Sequence, residues 1–137
     1  MCLISKSKIK KSNENVKCYK ILDDTGTIYK TPWQRYAVSD DIVNGKETLK
    51  PENDCENVNK DIIKDGFIHS IEGYENAMVV LGITKRMFSD IIKNPKLFEC
   101  EIPKDTEYFY GMDDNHYKGY ASKELKFIKE IAEAEEC

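Results

Sequence analysis

Aromatic and polar residues are concentrated in one stretch of the chain, residues 108–120, with the sequence YFYGMDDNHYKGY. It contains four of the eight tyrosines and a polar segment between two glycines. Aromatic walls with a few convergent polar groups suit a planar, polar ligand such as a nucleobase. The alternative is that the tyrosines pack a strand pair around a solvated turn. The candidate ligand-binding residues of this stretch are Tyr110, Asp113, Asn115, His116 and Tyr117.

A second aromatic and basic patch contains the single tryptophan of the chain. It consists of Tyr29, Lys30, Trp33, Arg35 and Tyr36, and its candidate ligand-binding residues are Trp33, Arg35 and Tyr36. An arginine beside such rings can stack on a base or pair with a phosphate. The alternative is that the tryptophan belongs to the core or its edge. Together the two patches predict a small anionic or nucleotide-like ligand, while the sequence leaves open whether they meet in space.

Metal and cofactor chemistry find little support in the residue spacing. His116 lies beside aspartates, but the spacing is not that of an EF-hand loop and no second histidine is near. The five cysteines are Cys2, Cys18, Cys55, Cys100 and Cys137. None forms a CxxC pair, so neither a zinc site nor a thioredoxin-like redox pair is indicated. We predict no metal, no cofactor and reduced thiols in a cytoplasm.

Length and charge limit the classes of protein further. The 137 residues fit one domain over residues 1–137, and we expect flexible ends at 1–15 and 132–137. The net charge of −4 argues against a partner of duplex nucleic acid. No stretch is apolar enough for a signal peptide or a membrane span, so we expect no membrane association and a cytoplasmic location. Lysines near the start and glutamates at the end leave open a protein–protein adaptor, and a homo-oligomer is also open.

Hydrophobic periodicity predicts an α+β fold, a mainly antiparallel sheet packed on one central helix. Residues 16–22 alternate as a strand, and residues 66–71 form a compact apolar strand. Apolar residues at spacings of three and four predict a helix over 74–92, or two short helices because Gly82 is unfavourable in a helix interior. Residues 97–102 alternate again, so we expect Phe98, Cys100 and Ile102 to face the helix. Residues 111–119 are predicted as a loop and 47–49 as a short strand.

Several short blocks resemble one group of small proteins. The blocks are MCLI at the start, CYKIL at Cys18, GFIHS at Gly66, EIPKDTEY at Glu101 and YASKEL at Tyr120. In this order they look like short proteins from gut Bacteroides-type bacteria and their phages. The likeness covers most of the chain and implies a bacterial or phage setting without implying a mechanism.

A local likeness concerns the segment from Glu99 to Tyr108. It is similar to the E-x-E strand and following turn of ADP-ribosyltransferases, which use NAD. The likeness implies that Glu101 would orient the nicotinamide ribose and that Glu99 would help to select the acceptor. The alternative is that both glutamates are the solvent face of a half-buried strand.

These patterns favour a non-catalytic binding module that sequesters a small anionic or nucleotide-like ligand, and the resemblance implies a phage or bacterial origin. The alternatives are the NAD-dependent transferase and the adaptor or minor structural phage protein.

Overall fold

The computed structural model describes residues 3–6, 9–32, 37–50, 67–113 and 117–131, with the backbone alone described for residues 3–6 and for Asp113. These ranges contain ten strands and two helices. In chain order they are β1 (Leu3–Lys6), β2 (Lys10–Lys11), β3 (Val16–Asp24), β4 (Tyr29–Lys30), β5 (Ala37–Val38), α1 (Asp40–Val43), β6 (Ile68–Ile71), α2 (Tyr74–Met87), β7 (Pro95–Ile102), β8 (Glu107–Asp113), β9 (Lys118–Ser122) and β10 (Lys126–Ile131).

The described strands form one antiparallel sheet. Its main order is β10-β7-β3-β6-β9-β8-β1, with β2 also on β8 and with β4 and β5 extending from the end of β3. An antiparallel sheet with one long helix in a single domain confirms the predicted α+β class. The predicted strand at residues 16–22 is confirmed and is the longest in the sheet.

The sheet curls, because a short connection joins strands that lie far apart in its order. In a flat sheet β9 and β10 would be four strand spacings apart, about 19 Å. The chain from Ser122 to Lys126 can span at most about 14 Å when fully extended. The sheet therefore bends so that β9 and β10 approach each other, and it has an inner and an outer face.

Each face of the sheet carries its own hydrophobic cluster. The inner cluster consists of Cys18, Leu22, Val38, Leu49, Ile68, Phe98, Cys100, Ile102, Leu125 and Phe127. The outer cluster consists of Tyr19, Ile21, Ile71, Ala77, Val80, Leu81, Leu97 and Ile131, and it contains the buried side of α2.

The alternation of side chains along β7 was predicted correctly, but the face on which the helix packs was not. Phe98, Cys100 and Ile102 point into the inner cluster, and α2 packs on the opposite face, against Leu97. A period of two identifies the side chains that share a face, but it does not identify what packs there. The expectation that this triplet faces the helix is therefore wrong.

A β-bulge allows β10 to contribute to both clusters. Phe127 pairs with Cys100, whereas Lys129 pairs with Glu99, so Ile128 is the extra residue. The extra residue reverses the side to which the following side chains point. Phe127 is consequently inside, and Ile131 lies on the helix side.

Helix α2 is continuous through Gly82 but shorter than predicted. It begins after Gly73, whose φ of 81° suits a residue without a side chain, and it ends at Met87. Beyond it the N–H groups of Ile91 and Ile92 both donate to the carbonyl of Phe88, which forms a tight turn. The helical period up to residue 92 therefore comes from a helix followed by a turn that buries Ile92.

The N-terminal segment includes strands where the sequence predicts a flexible end. β1 and β2 both pair with β8, and Ser12 is buried. The Ser12 hydroxyl donates to the Pro103 carbonyl at 2.6 Å and accepts from the Thr106 N–H at 2.9 Å. Elsewhere, the predicted strand at 47–49 is only an isolated bridge between Leu49 and Leu125. The predicted loop at 111–119 is shortened by β8 and β9, and residues 132–137 lie outside the described residues.

Candidate functional site

Four side chains from neighbouring strands lie in one transverse line on the inner face. Tyr19 pairs with Ile71, which places Lys20 of β3 opposite Ser70 of β6. Ser70 in turn pairs with Tyr120 of β9, and Tyr120 pairs with Tyr110 of β8. Directly opposed residues of a sheet project to the same face. We call Lys20, Ser70, Tyr120 and Tyr110 the tyrosine–lysine row.

Lys20 is the buried end of this row. Its side chain is 8 % exposed, and Nζ donates to the carbonyl oxygen of His69 at 2.7 Å. In the described part of the chain no carboxylate forms an ion pair with it. Burial, which disfavours the ammonium, lowers the pKa of Lys20 to about 8, while Cys100 and Cys18 oppose this weakly. An amine in this setting carries its charge at neutral pH with a single carbonyl as its described partner.

Ser70 lies between the amine and the tyrosines. It is 6 % exposed and sits in β6 opposite Tyr120. Its Oγ is near the thiol of Cys18, but no hydrogen bond of ordinary geometry reaches it from the described residues. A buried hydroxyl without such a bond leaves hydrogen-bonding capacity available beside the Lys20 amine.

The tyrosines form the end of the row that is open to solvent. The rings of Tyr110 and Tyr120 have centroids 5.3 Å apart, and Tyr108 meets Tyr120 edge-on at 5.8 Å. All three side chains are half-buried, and Tyr108 and Tyr120 also pack against the inner cluster. The row therefore runs from an aromatic surface to a buried cation.

Glu72 and burial raise the pKa values of two tyrosine hydroxyls in the row. A hydrogen bond from the Tyr110 hydroxyl to Glu72 raises the pKa of Tyr110 to about 12. Burial raises the pKa of Tyr120 further above its ordinary value, and the charge of Glu72 adds to this effect. Both phenols are neutral hydrogen-bond donors at physiological pH, and the Tyr110 side chain is oriented by its carboxylate partner.

The structure separates two of the predicted ligand-binding residues. Tyr110 is on the inner face, in the row, whereas Tyr117 packs against the outer cluster, as Tyr74 and Met78 also do. Asp113 is the last residue of β8, and only its backbone is described. The remaining predicted ligand-binding residues lie outside the described residues, and they are Trp33, Arg35, Tyr36, Asn115 and His116.

Glu99 and Glu101, the residues of the transferase alternative, lie on the outer face of β7. Both are half-buried, and Glu99 forms an ion pair with Lys17 at 3.3 Å. They project to the opposite side of the sheet from the tyrosine–lysine row, because Cys100 between them points inward. The transferase therefore stays a prediction, and the row does not contribute to it.

Lys20, Ser70, Tyr120 and Glu72 were missed as candidate residues from the sequence. For Lys20 a signal was present, because the strand alternation puts it on the same side as Cys18 and Leu22, which are core positions. A charged residue at a core position is rare unless it is paired or functional. Tyr120 belongs to the tyrosine-rich stretch that the sequence singles out, whereas Ser70 and Glu72 carry no comparable signal, since their convergence with it depends on strand order.

The described residues contain no group of three or more histidine, cysteine or acidic side chains that could hold a metal ion. None of the helices described is both long and apolar enough to cross a membrane. Comparison of the chain with protein-family models, curated proteins and solved structures found no match.

Proposed function

We propose that this protein is a non-catalytic binding module that holds a small anionic or nucleotide-like ligand along the tyrosine–lysine row. The single observation that carries the proposal is Lys20, a buried ammonium for which no carboxylate partner is found among the described residues. The anionic group of the ligand binds at Lys20 Nζ. The planar group lies on Tyr120 and Tyr110.

The need for an anion follows from the electrostatics of Lys20. An ammonium taken out of water loses hydration that one carbonyl replaces only in part. An anion beside Nζ would restore the lost stabilisation, and a hydrogen bond to a charged group contributes about 1.5–3 kcal/mol. The Ser70 hydroxyl can donate a second hydrogen bond to the same group.

The tyrosines favour a planar group on the same ligand. Stacking of a base on an aromatic side chain contributes about 1–3 kcal/mol, and it tolerates any base. Two strand spacings separate Lys20 from Tyr120, about 10 Å along the sheet. A molecule that carries its charge and its ring within that distance, such as a mononucleotide or a cyclic dinucleotide, fits both ends of the row.

The setting of this function is also a proposal. The resemblance to Bacteroides-type and phage proteins supports action in the cytoplasm of a bacterial host cell. A phage protein that sequesters a signalling nucleotide there would serve as a counter-defence factor. Such a role requires tight binding and no turnover.

Isothermal titration calorimetry with a panel of linear and cyclic nucleotides tests the proposal. We expect saturable binding of at least one of them and a loss of affinity of at least tenfold in Lys20→Met, from the lost charged hydrogen bond. Tyr110→Leu should weaken binding by a similar factor, since it removes one stacking surface. The matched control is Lys126→Met, which removes an exposed lysine of β10.

The pH dependence of binding gives a second criterion. Because the pKa of Lys20 is about 8, the amine loses its proton above that pH and affinity should fall about tenfold per pH unit. This dependence should be absent in Lys20→Met. If no nucleotide binds, or if Lys20→Met binds as tightly as the wild type, the proposed function is wrong.

A further inference from the structure

Two cysteines face each other directly across the neighbouring strands β3 and β7. Cys18 of β3 is in register with Cys100 of β7. Opposed residues of an antiparallel pair have Cα atoms about 4.5 or 5.5 Å apart, depending on the type of pair. Both distances fall within the range of about 4.4–6.8 Å over which a disulfide joins two Cα atoms. The register therefore gives this pair a Cα separation that is compatible with a disulfide.

The surroundings of this pair keep it reduced until an oxidant reaches it. Both cysteines are free and fully buried in the inner cluster. Burial raises the pKa of Cys18 to about 12 and the pKa of Cys100 well above its ordinary value. Since the thiolate is the reactive form, both thiols should react slowly at neutral pH.

We propose that Cys18 and Cys100 constitute a two-thiol site that a small-molecule disulfide converts to an intramolecular, cross-strand disulfide. In the first step the thiolate of one cysteine attacks the small disulfide, whose S–S bond breaks and releases one thiol. In the second step the other cysteine attacks the mixed disulfide and releases the second thiol. Two protein thiols are oxidised, one small disulfide is reduced to two thiols, and two protons pass from the cysteines to the released thiolates.

The site is independent of the proposed ligand, because it rests on register and burial alone. It is nonetheless adjacent to Lys20, which lies two residues after Cys18 on the same face and whose amine is influenced by both thiols. Oxidation links β7 to its neighbour β3, the strand that carries the buried end of the tyrosine–lysine row.

The test uses a chain in which Cys2, Cys55 and Cys137 are replaced by serine, so that Cys18 and Cys100 alone remain. The folded protein is equilibrated with mixtures of reduced and oxidised glutathione, quenched with acid and weighed intact. We expect a species lighter by two hydrogen atoms, and digestion without reductant should give one peptide pair linked through Cys18 and Cys100. The matched control adds Cys100→Ser, which should abolish this species.

Repeating the equilibration in urea shows whether the disulfide forms because the fold holds the two thiols together or because they meet by chance in an unfolded chain. Two thiols on a flexible unfolded chain have an effective concentration in about the mM range. We expect the effective concentration of the same two thiols in the folded protein to be at least about tenfold higher. Because attack requires the thiolate, the rate of oxidation in the folded state should rise about tenfold per pH unit between about pH 7 and 9.

Two results would overturn the proposal. One is a folded chain that stays a dithiol under conditions that oxidise the unfolded chain. The other is accumulation of glutathione adducts without the linked peptide pair. If the triple-serine chain does not fold, the same digestion is carried out on the oxidised wild-type chain. Disulfide-linked peptides that do not include the Cys18–Cys100 pair would then contradict the proposal.

Discussion

Replacing Lys20 by methionine should stabilise the folded protein at neutral pH, although it removes a hydrogen bond. The pKa of Lys20 lies near 8 instead of the ordinary 10.5. A difference of 2.5 pH units corresponds to about 3 kcal/mol of folding free energy that the charged amine forfeits. Loss of the bond to the His69 carbonyl removes about 1 kcal/mol. The net gain at pH 7 is therefore about 2 kcal/mol.

The sign of this effect reverses with pH. The folded state binds fewer protons than the unfolded state between about pH 8 and 10.5, so wild-type stability rises through that window. Below about pH 8 the penalty of the buried charge is fully present. Above 10.5 the amine is neutral in both states, and only the lost hydrogen bond remains. The advantage of Lys20→Met should thus shrink from about 2 kcal/mol and change sign near the top of the window.

Urea unfolding followed by circular dichroism at four values between pH 7 and 10 measures this difference. Subtracting the Lys20→Met curve from the wild-type curve isolates Lys20 from other groups that titrate at alkaline pH. The control Lys126→Met should leave the shape of the wild-type curve unchanged, because its side chain is exposed. A variant that is destabilised by the same amount at every pH would refute the reasoning, since it would mean that the buried amine is fully compensated.

Three further changes probe the sheet, and each has an internal comparison. Gly119→Ala should destabilise the folded protein by about 1–3 kcal/mol in urea unfolding, because a Cβ at this position would collide with the Ser70 carbonyl oxygen. Gly82→Ala in α2 should stabilise it by about 1 kcal/mol, because the added Cβ has open space around it. Phe127→Ala should lower the free energy of unfolding by about 3–5 kcal/mol, because Phe127 is 1 % exposed and its ring stacks on that of Phe98 with centroids 5.4 Å apart. Ile128→Ala at the bulge should lower it by less than about 0.5 kcal/mol, because Ile128 is exposed. Equal effects of the two substitutions would contradict the bulge. An NMR titration should find the pKa of Asp24 below its ordinary value of 3.8, because its carboxylate bonds to Lys96. The stabilisation from this carboxylate is therefore present above pH 3.8 and is lost as the pH falls further. Lys96→Met should raise the pKa of Asp24, and an unchanged pKa would contradict the ion pair.

Local sequence patterns predicted the elements better than their arrangement. The alternation in 16–22 and 97–102 and the helical spacing after Tyr74 correspond to β3, β7 and α2. The side chains that share each face of β7 were predicted correctly, but the helix was predicted on the inner face and packs on the outer face. Which face a helix covers is set by the connection that carries the chain over the sheet, and periodicity does not encode that choice.

The helix end and the bulge show a second limit. Residues 88–92 keep a helical spacing of apolar residues because a turn also buries Ile92, so the pattern does not mark the end at Met87. The bulge at Ile128 moves one residue out of register without any glycine to signal it. Both features depend on tertiary contacts that override local preference.

The candidate site was predicted only in part. Tyr110 was named from the density of tyrosines, and its ring contacts that of Tyr120 in the tyrosine–lysine row, while its role in binding stays a prediction. Tyr117 packs on the other face, because it precedes Tyr120 by three residues and side chains an odd number of residues apart along an extended segment point to opposite sides. Lys20 and Ser70 are 50 residues apart in sequence and become neighbours only through the pairing of β3 with β6.

The ionisation of Lys20 is the quantity on which the account depends most directly. An NMR titration that follows the side-chain methylene next to Nζ, assigned with Lys20→Met, measures the pKa of this amine in the folded protein. We expect a midpoint near 8 that rises when an anionic ligand binds. A midpoint near 10.5 would show that the amine is solvated or paired with a carboxylate, and it would contradict the assignment of Lys20 as an anion site.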